Sequence, residues 1–397
     1  MAIGTIISLF TGGMGLDLGF EAEGFEVRIS VEKDPWAIDT IKENRKCIEV
    51  IPRDIHQVTT DEILEKAGLD IGDVTVLIGA SPCEPFSTAG RRMSMQDNSA
   101  GTVGEFIRVI CEVRPQFFIY EQVPGFVRAA KRHISFYERV KKREEDLHPD
   151  ERLGSAFTEI MSQFEATGYS LNYTPGHPEC SILNAADYGV PQKRKRFILI
   201  GSGDGIPVNF PPKTHSDPKF IESTQINLKP WVTLREAFEG LDDPDPEYLN
   251  FSQSWGKFIA YIPQGGCWRN LPEALQKEAL GGAYDYEGSK LKGGRTGFLR
   301  RLAWDKPSPT VVDRPNTKAS CLCHPDYDRP LSVKEYARIQ GFPDEWVFKG
   351  SLPSRYEMIG QATPILLAQA LAHAISNRLA CNRVEMVVAP EETIVTA

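Results

Sequence analysis

Short apolar runs alternate with amphipathic stretches along the first two hundred residues. Five runs rich in Val, Ile, Leu and Phe have the length and composition of buried strands: 6–10, 27–31, 74–78, 117–120 and 197–201. Between them lie stretches with helical character: 16–23, 36–44, 62–67, 105–113 and 156–167. Strands that alternate with helices favour a parallel sheet covered on both faces. We therefore predict an α/β fold with a doubly wound, mostly parallel sheet.

The pattern changes after about residue 205. Pro and Gly become frequent, helical periodicity weakens, and aromatic residues are spread singly as far as about residue 351. We predict a smaller, irregular, mainly β domain over 205–351, and a first domain formed by 1–204 together with 352–397. The apolar stretch 363–379 is expected to be a helix that packs on the first domain, and the charged stretch 128–155 a helical insertion.

Composition is ordinary for a globular protein of 397 residues, with 41% hydrophobic and 25% charged residues. We see no apolar run long enough to span a bilayer, and residues 1–7 enter a strand-like run without a basic leader, so a cytoplasmic location is expected. Eight cysteines without a framework spacing indicate reduced thiols. Cys321, Cys323 and His324 lack a second ligand pair at a zinc spacing, so no metal is expected.

Net charge is −9, which alone would disfavour a nucleic-acid partner. The basic residues are bunched, however, at 91–92, 131–132, 141–143, 193–196 and 295–301. A local cationic face on an acidic protein can still bind a phosphate backbone.

The first strand-to-helix turn is rich in glycine, from Phe10 through Gly12 to Gly15. Glycine lets the backbone turn tightly and approach a ligand closely. The next strand ends at Glu32, where acids commonly hold ribose hydroxyls, and Asp54 follows as an acid suited to a base or an amine. This spacing predicts a nucleoside cofactor without identifying it.

Three further segments carry reactive side chains. Cys83 lies between two prolines after the strand at 74–78, and Glu121 follows the strand at 117–120, where a desolvated carboxyl can act as an acid. Arg194 and Arg196 alternate in extended chain, so their side chains point the same way. A thiol, an acid and two arginines suit methylation of cytosine. A thiolate at carbon 6 makes carbon 5 nucleophilic, an acid at N3 draws electrons, and a guanidinium on O2 holds the ring. Nearby arginines would also lower the pKa of the thiol.

Together these segments resemble the DNA (cytosine-5)-methyltransferase family, in motifs spread nearly end to end. The matching motifs are Phe10 to Gly15, Pro82-Cys83, Glu121-Gln122-Val123, Gln192 with Arg194 and Arg196, Arg301 to Val311, Leu331 to Pro343, and Gly360 to Thr363. The resemblance implies a Rossmann-like S-adenosylmethionine-binding catalytic domain and a target-recognition domain. It also implies a duplex DNA substrate whose cytosine flips out, a restriction endonuclease encoded elsewhere as a possible partner, a monomeric state and association with the nucleoid.

The resemblance further implies residue roles. Cys83 would be the nucleophile, Glu121 the acid at N3 and the exocyclic amine, Arg194 the contact to O2, and Arg196 a support for that pocket. The cofactor would contact Phe10, Gly12, Gly15, Glu32, Asp54, Pro82, Gln361 and Ala362. Contacts to DNA would come from Ser87, Arg91, Arg92 and Gln192, and loops around 250–297 would read base edges.

The sequence departs from the family pattern at Met14, Glu84, Gln122 and Gln361, and Lys33 stands where some members have an aromatic residue. Compensated variation is one interpretation. The other is a reshaped pocket with Met14 beside the cofactor, which would accept a variant cofactor or a modified cytosine. A tRNA-methylating relative, a non-catalytic DNA-binding homologue and a nicotinamide oxidoreductase are the rival functions.

Overall fold

A mostly parallel sheet of eight strands forms the centre of the protein. The computed structural model describes residues 2–81, 101–134, 136–281 and 297–388. The strand order is β3-β2-β1-β4-β5-β9-β6, with β7 also paired to β9. Strands β1 to β5 run parallel, whereas β9 is antiparallel to β5, β6 and β7. The predicted doubly wound α/β fold is confirmed.

The strands are β1 (Thr5–Leu9), β2 (Glu26–Val31), β3 (Glu49–Ile51), β4 (Val76–Ala80), β5 (Phe117–Gln122), β6 (Ser170–Leu171), β7 (Ile182–Asn184), β8 (Gln192–Lys193), β9 (Lys195–Ser202), β10 (His215–Ser216), β11 (Lys229–Pro230) and β12 (Ser308–Pro309). The helices are α1 (Gly15–Ala22), α2 (Pro35–Asn44), α3 (Thr60–Ala67), α4 (Gly101–Val113), α5 (Phe136–Lys141), α6 (Ser155–Ala166), α7 (Pro218–Thr224), α8 (Leu234–Ala237), α9 (Gln253–Gly256), α10 (Glu273–Leu280), α11 (Val333–Gln340), α12 (Leu352–Gln361) and α13 (Ile365–Val388). The five strands and five helices expected from the apolar pattern are all present. The stretch 128–155 is helical only in α5 and short 3-10 turns.

Successive side chains of the central strands belong to two different hydrophobic clusters, one on each face of the sheet. Ile6, Val76 and Ile119 pack in the cluster that includes residues of α1, α2 and α11 to α13. Their neighbours in sequence, such as Ile7 and Leu77, pack in the cluster with residues of α3, α4 and α6. This two-sided burial leaves the carboxyl ends of the parallel strands at one edge, where α/β enzymes place their ligands.

The long apolar helix near the carboxyl end, α13, packs on α1 of the first domain, as expected. Gly19 of α1 allows this contact, since a Cβ there would lie 2.4 Å from the Cβ of Ala368. The sequence analysis found no apolar run long enough to span a bilayer, yet one stretch of the described residues passes that test by length and composition alone. Residues Leu352–Cys381 are long and apolar enough, but 67% of their most apolar window is buried inside the fold. That degree of burial is typical of a core helix.

A third hydrophobic cluster lies within the proposed second domain. It contains Trp255, Trp268, Leu299 and Cys323, among others. Residues between 331 and 348, including all the buried apolar positions of α11, pack instead in the first cluster with α1 and α13. Because the first cluster also contains Val208, Leu234 and Leu302, the packing does not separate the two domains, and the division at 204 and 351 stays a prediction.

Candidate active site

The glycine-rich turn connects β1 to α1 through unusual backbone angles. Phe10, Gly12 and Met14 have φ values of 57°, 52° and 69°, in the left-handed region that only glycine adopts at little cost. Strain at Phe10 and Met14 is the kind of local cost that clusters at functional sites. Gly15 is required for close packing, since a Cβ there would lie 2.2 Å from the carbonyl oxygen of Thr363.

Met14 does not lie in an open pocket. Its side chain is fully buried in the hydrophobic cluster shared by α1 and α13. The Met14 side chain therefore presents no exposed surface to a ligand, and the reshaped pocket with Met14 beside the cofactor stays a hypothesis.

Glu32, at the carboxyl end of β2, is held by backbone donors. One carboxylate oxygen accepts the N–H of Gly12 at 2.8 Å, and the other accepts those of Lys33 at 2.7 Å and Asp34 at 2.9 Å. Burial raises the pKa of Glu32, although these three hydrogen bonds oppose the rise. Glu32 and the glycine-rich turn are thus hydrogen-bonded to each other, which is consistent with the prediction that both contact one nucleoside cofactor.

Asp54 follows β3 on the neighbouring edge of the sheet. Its carboxylate contacts the Nζ of Lys33 at 2.9 Å and the Nδ1 of His56 at 2.6 Å. Its Oδ1 also accepts the backbone N–H of His56. Burial acts to raise the pKa of Asp54, but hydrogen bonds from His56 and Lys33 outweigh it and hold the pKa well below the usual range. Asp54 is therefore a carboxylate at neutral pH.

Gln361 and Ala362 lie beside the amino end of α1. Ala362 is buried and its Cβ lies 3.1 Å from the position that a Cβ on Gly15 would take. The Gln361 side chain is exposed, and its Nε2 donates to Glu357 at 3.3 Å. Both predicted cofactor residues thus lie next to the glycine-rich turn, with only the Gln361 side chain open to solvent.

Glu121 forms a buried ion pair at the carboxyl end of β5. Its Oε1 lies 2.6 Å from the Nε of Arg196, and both side chains are at most a tenth exposed. Burial raises the pKa of Glu121, while the charges of Arg196 and Arg194 oppose the rise. A carboxyl with a raised pKa is suited to donate a proton or a hydrogen bond, as predicted for Glu121.

The guanidinium of Arg194 is bonded within the protein, and its predicted contact to O2 of a cytosine stays a prediction. Arg194 lies between β8 and β9 and is completely buried. Its guanidinium donates to the backbone carbonyls of Val311 at 2.8 Å, Gly360 at 2.6 Å and Gln361 at 3.3 Å. The arginine in contact with Glu121 is Arg196, so the predicted division of roles between the two is not supported by this geometry.

Gln192 is likewise turned inward. Its side chain is fully buried, with Nε2 donating to Gln340 at 2.7 Å and Oε1 accepting the N–H of Val311 at 2.8 Å. Gln340 in turn donates to the carbonyls of Ile359 and Ala362. A contact between the Gln192 side chain and DNA is not supported, because its amide is already bonded within the protein.

Gln122 joins the ends of two strands. Its Nε2 lies 3.1 Å from both the carbonyl and the hydroxyl oxygen of Ser81, and its Oε1 accepts the N–H of Val123. The Ser81 hydroxyl also contacts the Tyr120 hydroxyl at 2.7 Å. Sequence reasoning missed Ser81 and Tyr120, although both flank predicted catalytic residues. These bonds fix the last described residue before Pro82 and Cys83 against the strand that bears Glu121.

Several predicted site residues lie outside the described residues: Pro82, Cys83, Ser87, Arg91 and Arg92. Glu84, one of the departures from the family pattern, lies there too.

Cys321 and Cys323 lie in the hydrophobic cluster of the second domain. Their thiols contact the backbone carbonyl oxygens of Arg300, at 3.5 Å from Cys321, and of Tyr327, at 3.2 Å from Cys323. Burial raises the pKa of both thiols, that of Cys323 to about 12. Among the described residues, no group of three or more His, Cys, Asp or Glu side chains could hold a metal ion.

Residues 4–377 match the family described as C-5 cytosine-specific DNA methylase, and the chain belongs to that family. Its activity is therefore methylation of DNA cytosine at carbon 5. The Type II methyltransferase M.PspPI of Psychrobacter sp. (strain TA137) is 33% identical over 380 residues, covering 94% of this chain and 79% of that protein. The Type II methyltransferase M.Eco47II of Escherichia coli is 32% identical over 379 residues, with the same two coverages.

Solved structures share the fold. A putative DNA modification methyltransferase encoded within an Escherichia coli prophage superposes with a TM-score of 0.58 at 22% identity, covering 95% of this chain and 99% of that one. A mutant of Spodoptera frugiperda DNMT2 gives a TM-score of 0.57 at 12% identity, covering 94% and 99%. At these identities the likeness establishes the architecture alone.

Proposed function

We propose that this enzyme transfers a methyl group from S-adenosylmethionine to carbon 5 of a cytosine flipped out of a specific duplex DNA sequence. The reaction would pass through a covalent bond between Cys83 and carbon 6. The observation that carries the proposal is the buried pair of Glu121 and Arg196 at the end of β5. Strand β4 lies beside β5 and leads through Ser81 directly into Pro82 and Cys83. An acid, a guanidinium and a thiol would therefore converge on one flat heterocycle.

Each side chain supplies one part of the chemistry. The Cys83 thiolate adds to carbon 6, which places electron density on carbon 5. Glu121, whose raised pKa favours the protonated form, would donate to N3 and draw that density through the ring. S-adenosylmethionine, when bound, supplies the electrophilic methyl carbon. Water would then take the proton from carbon 5, the double bond between carbons 5 and 6 would re-form, and Cys83 would leave as a thiolate while N3 returns its proton to Glu121.

Arg196 is the better candidate for the contact to O2 of the cytosine. Its guanidinium already lies on the carboxyl of Glu121, so a base held by Glu121 at N3 would have Arg196 within reach of its neighbouring oxygen. Arg194 would stabilise the site indirectly, because it bonds the backbone carbonyls of Val311, Gly360 and Gln361, which flank the site. We therefore exchange the roles that the sequence alone predicted for the two arginines.

The residues around the glycine-rich turn fit S-adenosylmethionine. Glu32 and Asp54 are acceptors suited to ribose hydroxyls and to the amine of the base, and a Cβ on Gly12 would meet no atom within 4 Å, which leaves room for a ligand. Phe10, Gly15, Pro82, Gln361 and Ala362 would complete the pocket.

A base inside a duplex cannot reach this site, so the cytosine must flip out. Ser87, Arg91 and Arg92 remain predicted phosphate contacts, and loops around 250–297 remain the predicted readers of sequence. Because similar proteins are Type II methyltransferases, we propose that this enzyme protects DNA against a cognate restriction endonuclease. A monomer associated with the nucleoid in the cytoplasm remains our expectation.

Expression in cells that lack cytosine methyltransferases tests the proposal. We expect mass spectrometry of their DNA to detect 5-methylcytosine, bisulfite sequencing to locate it in one short sequence, and the Cys83→Ser variant to abolish it. Purified tRNA serves as the competing acceptor in vitro with labelled S-adenosylmethionine. Methylation of tRNA in place of DNA, or of DNA at a position other than carbon 5, would contradict the proposal.

A further inference from the structure

Lys33 bridges two strand ends at the proposed cofactor site. Its backbone N–H donates to Glu32, and its side chain crosses from the end of β2 to Asp54, beyond β3, where Nζ lies 2.9 Å from Oδ2. The other oxygen of Asp54 accepts the N–H of His56 and contacts its ring nitrogen. The Lys33 side chain is 58% exposed and that of Asp54 31%, so both can still reach a ligand.

An ion pair this exposed contributes little to folding. The pair can instead bind a ligand, because a Lys ammonium has three hydrogen-bond donors and only one is directed at Asp54. The carboxylate of Asp54 likewise keeps acceptor capacity. Lys33 and Asp54 therefore present a donor and an acceptor side by side, next to the acid proposed for the ribose.

The adenine base has the complementary pattern. Its exocyclic amine is a donor, and a ring nitrogen beside that amine is an acceptor. We propose that Lys33 and Asp54 read the base of the cofactor together. In this reading Asp54 accepts from the exocyclic amine, while the Lys33 ammonium donates to the adjacent ring nitrogen. This inference rests on the proposed S-adenosylmethionine site, and it makes Lys33 a determinant of cofactor specificity.

Binding of S-adenosylhomocysteine and of its deaza analogues to the full chain tests this inference. Lys33→Met removes the ammonium and keeps a side chain of similar length. Lys66→Met is the matched control, because Lys66 forms a comparably exposed pair with Glu49, 3.2 Å apart, between α3 and β3. Isothermal titration calorimetry would compare the parent compound with analogues that replace N1 or N7 by carbon, and with one that carries a dimethylated exocyclic amine.

We expect Lys33→Met to weaken binding of the parent compound on the order of tenfold, the effect of one hydrogen bond from a charged group. One of the two deaza analogues should bind the wild type about tenfold more weakly than the parent compound does. The nitrogen missing from that analogue is the one that accepts from Lys33. Lys33→Met should not distinguish that analogue from the parent, and Lys66→Met should behave as the wild type. The dimethylated analogue should bind weakly to all three proteins, because it cannot donate to Asp54.

Three outcomes would overturn the inference. In the first, replacement of the ring nitrogen by carbon weakens binding equally in the wild type and in Lys33→Met. In the second, Lys33→Met binds S-adenosylhomocysteine more tightly than the wild type, which would mean that Lys33 competes with the ligand for Asp54. Either result leaves the proposed function intact. Absence of S-adenosylhomocysteine binding to the wild type would instead overturn the proposed function together with this inference.

Discussion

Arginines 194 and 196 stand two residues apart and should respond to the same substitution in opposite ways. Arg194 is fully buried and bonded to three backbone carbonyls, whereas Arg196 pairs with Glu121 at the site. Replacement of either by Met removes the guanidinium and keeps most of the apolar stem. We expect Arg194→Met to lose stability and Arg196→Met to lose catalysis.

The magnitude for Arg194 follows from its hydrogen bonds. A bond that involves a charged group contributes about 1.5–3 kcal/mol, and each buried carbonyl left unsatisfied costs about 1–3 kcal/mol. The variant no longer needs to bury a charge, which offsets part of that loss. We therefore expect Arg194→Met to lower the free energy of unfolding by about 3–5 kcal/mol, a large part of the stability of a typical domain.

For Arg196 the stability loss should be smaller, about 1–2 kcal/mol, because Glu121 can take up a proton when its partner is gone. The rate of methylation should fall by about 10²–10³, the usual effect of removing one donor aimed at developing charge. Urea unfolding followed by circular dichroism measures the first quantity. Single-turnover methylation under conditions where each variant is folded measures the second. A stable Arg194→Met that cannot methylate DNA, together with an active Arg196→Met, would refute our assignment.

Two other substitutions and one pH profile test separate parts of the fold and the site. Burial raises the pKa of Asp17 to about 7, so Asp17 binds its proton more tightly in the folded state than in the unfolded state. Relative to Asp17→Asn, the wild type should therefore lose up to roughly 4 kcal/mol of unfolding free energy between pH 4 and 8. If urea titrations give the two proteins parallel curves of unfolding free energy against pH, this prediction is wrong. Gln122→Leu removes the two contacts of Nε2 to Ser81 and should cost about 1–3 kcal/mol and slow methylation. It should preserve the affinity for S-adenosylhomocysteine, as calorimetry can check. The single-turnover rate should also fall as rising pH deprotonates Glu121, whose pKa burial raises, and a pH-independent rate would exclude its role as an acid.

The sequence predicted the fold well because its signals are local. Apolar runs followed by Gly or an acid mark where a strand ends, and the carboxyl ends of parallel strands meet at one edge of the sheet. Glu32 and Glu121 were found in this way, and both lie at such ends in the structure. Short strands such as β3 and β8 were missed, since two or three residues carry no measurable period.

The bonding partners within the site were not predictable in the same way. Alternation in extended chain predicts that Arg194 and Arg196 point the same way, but it does not predict which groups each guanidinium contacts. The acceptors of Arg194 lie 117 to 167 residues away in sequence, one after β12 and two at the carboxyl end of α12. Lys33 and Asp54 are similarly joined only because β2 and β3 are neighbours in the sheet. Long-range bonds of this kind become visible only when the strands are assembled.

Trapping with 5-fluorocytosine tests the central claim most directly. Fluorine at carbon 5 cannot leave as a proton, so the bond between the enzyme and carbon 6 would persist after methyl transfer. We predict that incubation with S-adenosylmethionine and a duplex library containing 5-fluorocytosine yields a covalent adduct, and that peptide mass spectrometry locates it on Cys83. The Cys83→Ser variant should give none. An adduct on one of the exposed cysteines Cys47, Cys111, Cys180 or Cys381, or methylation of unmodified DNA with no trapped complex, would contradict the account.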